Sequence, residues 1–368
     1  MRVDRQRRSL WSAVAASTLS SLCVIVITGA VGSVLKPRLL TARVPLWALL
    51  AVAGVLLVAL CSVLLHQRSR SHRTKRVFLV ISAFDQKHYL ATLIRNLHSV
   101  LEQRGCALEL RIPNPDYSAI SQLHCLRQVI DHRDDYVDGF VIPIIPPQAD
   151  RIQKDLVEFC EEVAVPVVFL DVEPFENEFH YPANAAFVGY SAAEIGETAA
   201  GWVAEYLLRK QAPCPTVLVI GGWSQYRRQQ RFKEELTAKL SLVQMIDGTA
   251  DFDRVWARDM TRTQLKYARA DGRQLDVIFC TNDEMALGTV DALLSADPAT
   301  VAGTIVVGVD GTPQAQALIE AGPGPLRATV RQDSQKVAET GVDLLDRMVR
   351  REPVPARILL PADVSARD

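Results

Sequence analysis

The sequence has no excess of charge of either sign, and this absence limits the partners it can have. Its 368 residues include 41 Lys and Arg and 42 Asp and Glu, which gives a formal net charge of −1. A chain with so little net charge offers no argument for binding a polyanion, so we expect no nucleic-acid partner. No low-complexity tract and no internal repeat is visible, which argues against a solenoid or a disordered chain.

The motifs of common catalytic and cofactor sites are missing as well. No GxGxxG or Walker sequence follows a strand-like run, so a nucleotide cofactor has no support. Residues 221–225, Gly-Gly-Trp-Ser-Gln, lack the closing glycine of a nucleophile elbow, and no His/Asp pair is evident to serve Ser224. The 7 histidines show no metal-ligand spacing. We therefore expect no enzyme, no metal site and no cofactor.

The cysteines that follow residue 75 show no pairing pattern. They are Cys106, Cys125, Cys160, Cys214 and Cys280. This odd set contains no CxxC pair and no Cys/His cluster of metal spacing. Free thiols in odd number are more typical of a reducing compartment than of a disulfide-stabilised secreted domain.

Two apolar runs without charge, residues 10–35 and 44–65, open the chain. The second has 22 residues. At ~1.5 Å per residue it spans ~33 Å, enough for a hydrocarbon core of ~30 Å. The first run is richer in Ser, Thr, Ala and Gly, and a cleaved signal peptide is its alternative. We predict that residues 1–75 form a membrane anchor of two transmembrane helices, with membrane lipid as a partner.

The cations around these runs predict the orientation of the anchor. Nine Lys and Arg lie before the first run or just after the second, and three lie between the runs. Because cytoplasmic flanks are enriched in cations, the large domain is expected on the cytoplasmic side of a bacterial inner membrane. The periplasmic side is the alternative, and it would follow if the first run did not span.

From residue 76 onward, short β-branched runs alternate with longer stretches of helical period. Such alternation indicates an α/β fold whose parallel strands are covered by helices on both faces. The predicted strands are too many for one sheet, so two doubly wound lobes are expected. These strands are 77–82, 108–112, 139–144, 165–171, 186–189, 216–221, 243–247, 277–280 and 304–310.

Asp171, Asn282 and Asp310 share one position, the carboxyl end of an apolar strand. In open α/β sheets, ligands bind just beyond these strand ends. Any one of the three could instead serve a turn or cap a helix. Three alike favour a site for a small polar ligand.

Three motifs then carry a family resemblance. Residues 281–288 (TNDEMALG), 306–313 (VVGVDGTP) and 328–332 (ATVRQ) resemble hallmarks of type 1 periplasmic binding proteins and of lactose-repressor-type effector domains. The likeness is greatest to ribose-binding proteins and covers the chain from about residue 75 to its end. It implies a bilobed domain, 76–368, whose lobes close on a sugar. Lobe one would hold about 76–188 and 333–358, and lobe two about 189–332 and 359–368.

The resemblance also implies ligand contacts at positions of lobe two and the hinge. Asp310 matches a carboxylate that accepts two sugar hydroxyls, which suits an acceptor-only group. Asn282 matches an amide that donates and accepts, and Phe252 matches an aromatic wall. Arg228 matches a guanidinium that donates to ligand oxygens, with a solvated helix residue as the alternative. Gln332 matches a polar residue near the hinge.

The first lobe would add four further contacts. Asp171 matches a second carboxylate. Tyr89 holds a stacking position, which suits the apolar C–H face of a sugar, although it could instead belong to the core or a helix start. Gln86 holds a polar contact position, and Ser82 either touches the ligand or caps its strand. In lobe two, Trp223 either lines the cleft or covers its lobe.

The sequence departs from the ribose-binding pattern in the first lobe. Val172 stands where the family usually has an arginine, and His88 replaces an aromatic residue. Apolar residues at 142–146 replace a polar contact. The fold therefore carries over better than the identity of the ligand.

These observations together predict a membrane-tethered protein that binds a monosaccharide or similar small polyol, for sensing or transport. An ABC transporter or a signalling protein is a possible partner. The alternatives are a ligand-independent scaffold and a transcription-regulator-like effector domain without DNA binding, since no helix-turn-helix precedes the domain.

Overall fold

A computed structural model describes residues 54–56, 58–59, 75–83, 88–144, 150–175, 177–222 and 227–367. The predicted membrane runs lie outside the described residues, except for 54–56 and 58–59, which are helical. Among the described helices, none combines the length and hydropathy that crossing a membrane requires. The chain from Thr74 to Asp368 forms one unit, and the following description concerns this unit.

From residue 75 onward, twelve strands and ten α-helices alternate along the described residues. Their bounds are β1 Lys75–Val80, α1 His88–Gln103, β2 Cys106–Arg111, α2 Ala119–Asp131, β3 Asp138–Val141, α3 Asp150–Val163, β4 Val167–Asp171, β5 Ala185–Tyr190, α4 Ala192–Arg209, β6 Thr216–Gly221, α5 Arg227–Lys239, β7 Gln244–Thr249, α6 Arg254–Ala270, β8 Val277–Cys280, α7 Asp283–Leu294, α8 Pro298–Val301, β9 Ile305–Asp310, α9 Pro313–Ala321, β10 Leu326–Arg331, α10 Ser334–Val349, β11 Arg357–Leu360 and β12 Asp363–Ala366.

The strands form two six-stranded sheets with the same order. The first sheet runs β11-β5-β4-β3-β1-β2, and the second runs β12-β10-β9-β8-β6-β7. All pairs are parallel except β10 with β12, which is antiparallel. In each sheet the strand order reverses once, between β1 and β3 and between β6 and β8. Such a reversal opens a crevice at the carboxyl ends of the strands.

Both faces of each sheet are buried at its central strands, which explains why these strands are apolar. In β1, Val77 and Leu79 belong to one hydrophobic cluster, while Phe78 and Val80 belong to another on the opposite face. The first cluster includes residues of α1 and α10, and the second includes residues of α2 and α3. The second sheet is covered in the same way, by α4 and α5 on one face and by α6, α7 and α9 on the other.

Side-chain caps fix where several helices begin. Ser118 accepts a hydrogen bond from the backbone of Ser121 and caps α2, and Ser191 caps α4 in the same way at Glu194. Asp333 caps α10 through the backbone of Lys336. Each cap satisfies a backbone N–H that has no partner within its helix.

The chain passes between the two sheets at three places, after β5, after β10 and after β11. Two of these connections touch, because the Tyr190 hydroxyl accepts a hydrogen bond from the Asp333 N–H at 2.7 Å. The third lies beside the first, where the Ala362 N–H faces Glu194 at 3.5 Å. The result is a two-lobe α/β fold with parallel sheets, as the alternating pattern predicts.

Each of the nine predicted strands overlaps a strand of the structure. The sequence reading did not assign β10 as a strand, although the motif at 328–332 lies within it and at its end. It also missed β11 and β12, which are four residues long and partly exposed. The division into lobes at specific residues stays a prediction.

Candidate functional site

A cleft of about 750 Å³, open mouth included, lies at the carboxyl ends of the strands of both sheets. Eight of the nine predicted ligand residues line it: Ser82, Tyr89, Asp171, Arg228, Phe252, Asn282, Asp310 and Gln332. The ninth, Gln86, lies outside the described residues, as does Trp223. Ligand binding by these residues stays a prediction.

The two carboxylates come from different lobes and both sit in unusual backbone. Asp171 ends β4 with φ of 65°, and Asp310 ends β9 with φ of 116°. A positive φ is costly for residues other than glycine, and such strain concentrates at functional sites. The strand ends therefore hold both side chains toward the cleft at a conformational cost.

Burial raises the pKa of both carboxyl groups. The pKa of Asp171 rises to about 6, because desolvation outweighs the opposing effect of the Arg228 guanidinium. The pKa of Asp310 lies well above its usual range, through burial and then through the nearby Asp283 carboxyl, with a further contribution from Asp171. Two buried acids on opposite sides of a cleft, one of which raises the pKa of the other, favour a ligand that donates to them.

Asp283 is a buried carboxyl group that positions the loop after β9. It accepts hydrogen bonds from the Thr312 N–H and the Thr329 hydroxyl, both at 2.7 Å. Burial raises its pKa to about 7 in spite of these bonds. Since Thr312 caps α9 and lies two residues after Asp310, this network holds the carboxyl end of β9 in place.

Arg228 lies inside the cleft on α5 and is 7% exposed, so it is not a solvated helix residue. One terminal nitrogen donates to the Thr281 carbonyl and the other donates to Gln332 Oε1 at 3.1 Å. These bonds orient the guanidinium between the end of β8 and the connection that follows β10. The planar group is therefore fixed before any ligand arrives.

Asn282 caps a helix, which is the alternative role that the sequence leaves open for it. Its Oδ1 accepts a hydrogen bond from the Met285 N–H at 2.9 Å and caps α7. Its Nδ2 faces the Phe252 carbonyl at 3.4 Å. Because the amide oxygen serves the helix, the nitrogen is the atom left to contact a ligand.

Aromatic side chains of both lobes flank the acids. Tyr117 of the first lobe and Phe252 of the second lie with ring centroids 5.8 Å apart and planes tilted by 35°. The Tyr89 hydroxyl is buried and has no hydrogen-bond partner among the described residues. Burial, followed by Asp171 and Asp310, raises the pKa of Tyr89 well above its usual value, so this hydroxyl stays neutral. It can donate to and accept from a polar ligand.

Sequence reasoning missed several residues that shape the cleft. Tyr117 and Glu284 line it, and Glu284 lies 3.8 Å from His88 of the opposite lobe. Gln122 is 2% exposed, donates to the Ile81 and Ile142 carbonyls and accepts from the Ile144 N–H, each at 2.9 Å. It thereby joins the ends of β1 and β3, where the strand order reverses. The sequence feature that could have indicated this role is a glutamine on the apolar face of α2.

The departures from the ribose-binding pattern also lie in the cleft. Val172, His88, Pro143 and Ile144 line it. The first-lobe wall is therefore more apolar than the second, which carries Arg228, Asn282, Glu284 and Asp310.

Comparison with known proteins agrees with this geometry. Residues 77–353 match the periplasmic binding protein domain family. The ribose import binding protein of Escherichia coli (strain K12) is 27% identical over 242 residues, which cover 64% of this chain and 75% of that protein. A putative rhizopine-binding protein of Rhizobium meliloti is 23% identical over 235 residues, covering 62% and 71%.

Two solved structures share the fold. The myo-inositol binding protein of Caulobacter, bound to myo-inositol, superposes with a TM-score of 0.66 at 21% identity, covering 80% of this chain and 94% of that one. A periplasmic solute binding protein of an ABC transporter from Actinobacillus succinogenes 130z, with bound D-allose, gives 0.67 at 17% identity, covering 79% and 97%. These relatives are named as binding proteins. With a family match that covers most of the chain, the protein belongs to the periplasmic binding protein domain family.

Proposed function

We propose that this domain binds a monosaccharide or similar small polyol between its lobes. The observation that carries the proposal is the meeting of Asp171 and Asp310, from different lobes, beside Arg228 and the Tyr89 hydroxyl in one cleft. Carboxylates accept hydrogen bonds from vicinal hydroxyls, and a guanidinium donates to hydroxyl oxygens. Relatives named for binding ribose, D-allose and myo-inositol support the same ligand class.

We further propose that the lobes close on the ligand. Three connections join the sheets, and a ligand that contacts Asp171 and Asp310 together favours the conformation in which both can reach it. The closed form would then be the state that a transporter or a signalling partner recognises.

Isothermal titration of the full chain in detergent tests the binding proposal. D-Ribose, D-allose and myo-inositol are titrated into the wild type, Asp310→Ala and Asp259→Ala. Loss of a charge-assisted contact at Asp310 should weaken binding roughly tenfold to a hundredfold. Asp259 lies on the surface of α6, with its side chain 59% exposed, and serves as the matched control. Unchanged affinity in Asp310→Ala would exclude this site, and no binding of any ligand would favour the scaffold alternative.

The membrane tether and its side are a separate part of the proposal. The apolar runs and their flanking cations support an anchor with the domain in the cytoplasm, whereas the D-allose-binding relative of Escherichia coli (strain K12) is named as periplasmic. Cys214 is exposed and offers a native label. We expect an impermeant maleimide to label Cys214 after lysis but not in intact spheroplasts, with Cys214→Ser as control. Labelling of intact spheroplasts would place the domain outside and favour delivery of ligand to an ABC transporter.

A further inference from the structure

We propose that the second lobe carries another binding site, for a soluble organic phosphate, at the end that lies away from the cleft. The site is a groove between α6 on one side and the end of α7 with α8 on the other. This inference goes beyond the proposed function and does not depend on the ligand of the cleft. It rests on basic side chains that border an apolar base.

The groove is separated from the cleft by the length of two helices. α6 starts two residues after Phe252 and α7 starts directly after Asn282, and both of these residues line the cleft. The groove is bordered instead by the second half of α6 and by residues from the last turn of α7 onward. Since α7 has 12 residues, its two ends lie about 18 Å apart. Among the described residues, none lines both sites.

Three cations of α6 line one side of the groove. Arg262, Lys266 and Arg269 follow one another at spacings of four and three residues, which places them on one face of the helix. Arg269 fits the general preference for a cation in the last turn of a helix. Lys266 and Arg262 lie about one and two turns earlier, where that preference does not apply. The helix rises about 10 Å over this row, so the row can contact an anion through several of its oxygens.

Arg262 is oriented by the end of α7. Its Nη2 donates to the Ser295 hydroxyl at 3.2 Å, and that hydroxyl faces the carbonyls of Asp291 and Ala292 at 2.9 and 3.0 Å. The Asp259 carboxylate lies 3.8 Å from Arg262 Nη1, which is longer than a hydrogen bond. The guanidinium is therefore held by one bond to a neutral group, and its other N–H groups can donate to a ligand.

Lys266 and Arg269 have weaker contacts with the protein. Arg269 Nη1 lies 3.9 Å from one oxygen of Asp297, while the other oxygen caps α8 by accepting from the Ala299 N–H at 3.1 Å. Lys266 has neither a hydrogen bond nor an ion pair within the described part of the chain. Residues 254–310, which form the groove, are described throughout. Three cations and one carboxylate among them line it, and this balance favours an anionic ligand.

The base of the groove is apolar. Leu265 is 6% exposed, Ala292 is fully buried, and Ala296 packs against the same hydrophobic cluster. Thr300 lies on the opposite wall, and its hydroxyl can donate to or accept from a ligand. Cations beside an apolar base suit a ligand that has an anionic part and an uncharged organic part. A phosphoryl group carries nearly two charges and three acceptor oxygens, so it matches three cations better than a carboxylate does.

Isothermal titration of the full chain in a non-ionic detergent, at an ionic strength of about 0.1 M, tests the inference. ADP is the organic phosphate, adenosine is the matched ligand without the charge, and sodium pyrophosphate is the matched ligand without the organic part. We expect ADP to bind about tenfold or more tightly than adenosine, the value of one charge-assisted contact or more. Pyrophosphate should bind more weakly than ADP, because it makes no contact with the apolar base.

Lys266→Gln removes the cation that has no partner in the fold. We expect it to weaken ADP binding roughly threefold to tenfold, since solvent screens part of the effect of an exposed charge. Lys266→Glu should weaken binding further, because it reverses the charge. Lys154→Gln in α3 is the matched control, since Lys154 is also exposed, lies within a helix and has no ion pair among the described residues. The control should bind ADP as the wild type does, and all three variants should keep its melting temperature.

Several results would overturn the inference, and all of them leave the proposed sugar site standing. If none of the three probes binds the wild type, the groove is not a site. If both Lys266 variants bind ADP as tightly as the wild type, the nucleotide binds elsewhere on the molecule. Equal affinity for pyrophosphate and ADP would show that the ligand needs no organic part. If dihexanoyl phosphatidic acid binds more tightly than ADP and loses affinity in Lys266→Gln, the ligand is a lipid headgroup and not a soluble phosphate.

Discussion

Glycine at position 222 gives Phe252 the space that its ring occupies. A Cβ atom built at Gly222 would lie 2.1 Å from that ring, well inside any normal contact distance. Phe252 itself has φ of 62°, so its backbone has little freedom to move away. Any side chain at position 222, just after β6, would therefore displace the Phe252 ring from its place in the cleft wall.

We predict that Gly222→Ala displaces the Phe252 ring and weakens ligand binding by roughly tenfold, the order of one aromatic contact. Titration calorimetry measures the affinity, and thermal unfolding measures stability. Gly201→Ala is the control, because its Cβ meets no atom within 4 Å in α4. That change should stabilise the helix by about 0.5–1 kcal/mol and leave affinity unchanged. Equal affinity in Gly222→Ala would show that the ring does not contact the ligand.

Asp138 offers a second test at the residue scale, away from the cleft. Its side chain is 6% exposed at the start of β3, and its Oδ1 has no hydrogen-bond partner among the described residues. Burial, with a smaller effect of Asp346, raises its pKa to about 7. Since this folded-state pKa lies above that of the unfolded chain, its favourable contribution is complete below about pH 4 and is lost as pH rises through about 7.

Asp138→Asn should therefore stabilise the domain at pH 8, by an amount on the order of 3 kcal/mol, and flatten the stability profile between pH 4 and 8. Urea unfolding at several pH values measures both effects. A wild-type profile that rises over this range, or a variant that follows the wild type, would contradict the assigned burial of the charge.

At the scale of elements, the sequence predicts whatever depends on local pattern. Continuous apolar runs predict the central strands among β1 to β9, because both faces of those strands are buried, whereas the predicted edge strands β2 and β7 are only partly buried. The short strands β11 and β12 carry half-exposed residues and acquire strand structure from pairing with β5 and β10, which no local pattern records. Composition and period thus define the sheets except for β11 in the first and for β10 and β12 in the second.

The residues of the candidate site likewise fall into two groups, those that a local pattern predicts and those that it does not. Residues that end a strand or belong to a family motif, such as Asp171 and Asp310, could be named from the sequence. Tyr117, Glu284 and Gln122 could not, because their roles depend on contacts with distant segments. Gln122, for example, joins backbone groups 41 and 20 residues away in sequence.

Replacing Gln122 with leucine tests this bridge between β1 and β3. Gln122→Leu leaves two carbonyls and one N–H without their buried partner, so we expect a loss of roughly 2–4 kcal/mol in the free energy of unfolding. Gln128→Leu on the exposed side of α2 is the matched control and should change stability by less than about 0.5 kcal/mol. Denaturant unfolding measures both. A similar small effect for the two variants would show that water replaces the glutamine.

At the scale of the whole molecule, the acids at the strand ends couple the two lobes. Asp171 belongs to the first sheet and Asp310 to the second, and both line the same cleft. Asp171 also raises the pKa of Asp310. A ligand that needs both groups ionised, as hydrogen-bond acceptors or as partners of a cation, must therefore bind in a pH-dependent way. The direction follows from the raised pKa values.

Affinity should rise as pH increases from 5 through about 6, the pKa of Asp171, because protons compete with the ligand for the carboxylates. It should continue to rise above pH 6, since the pKa of Asp310 is raised as well. Titrations between pH 5 and 7.5 measure this slope. Asp171→Asn should lower the affinity and remove the part of the slope near pH 6, whereas Asp138→Asn should change stability and leave the slope intact. A flat profile in the wild type would mean that the ligand does not contact these acids, and the two lobes would then need another pair of groups to close around it.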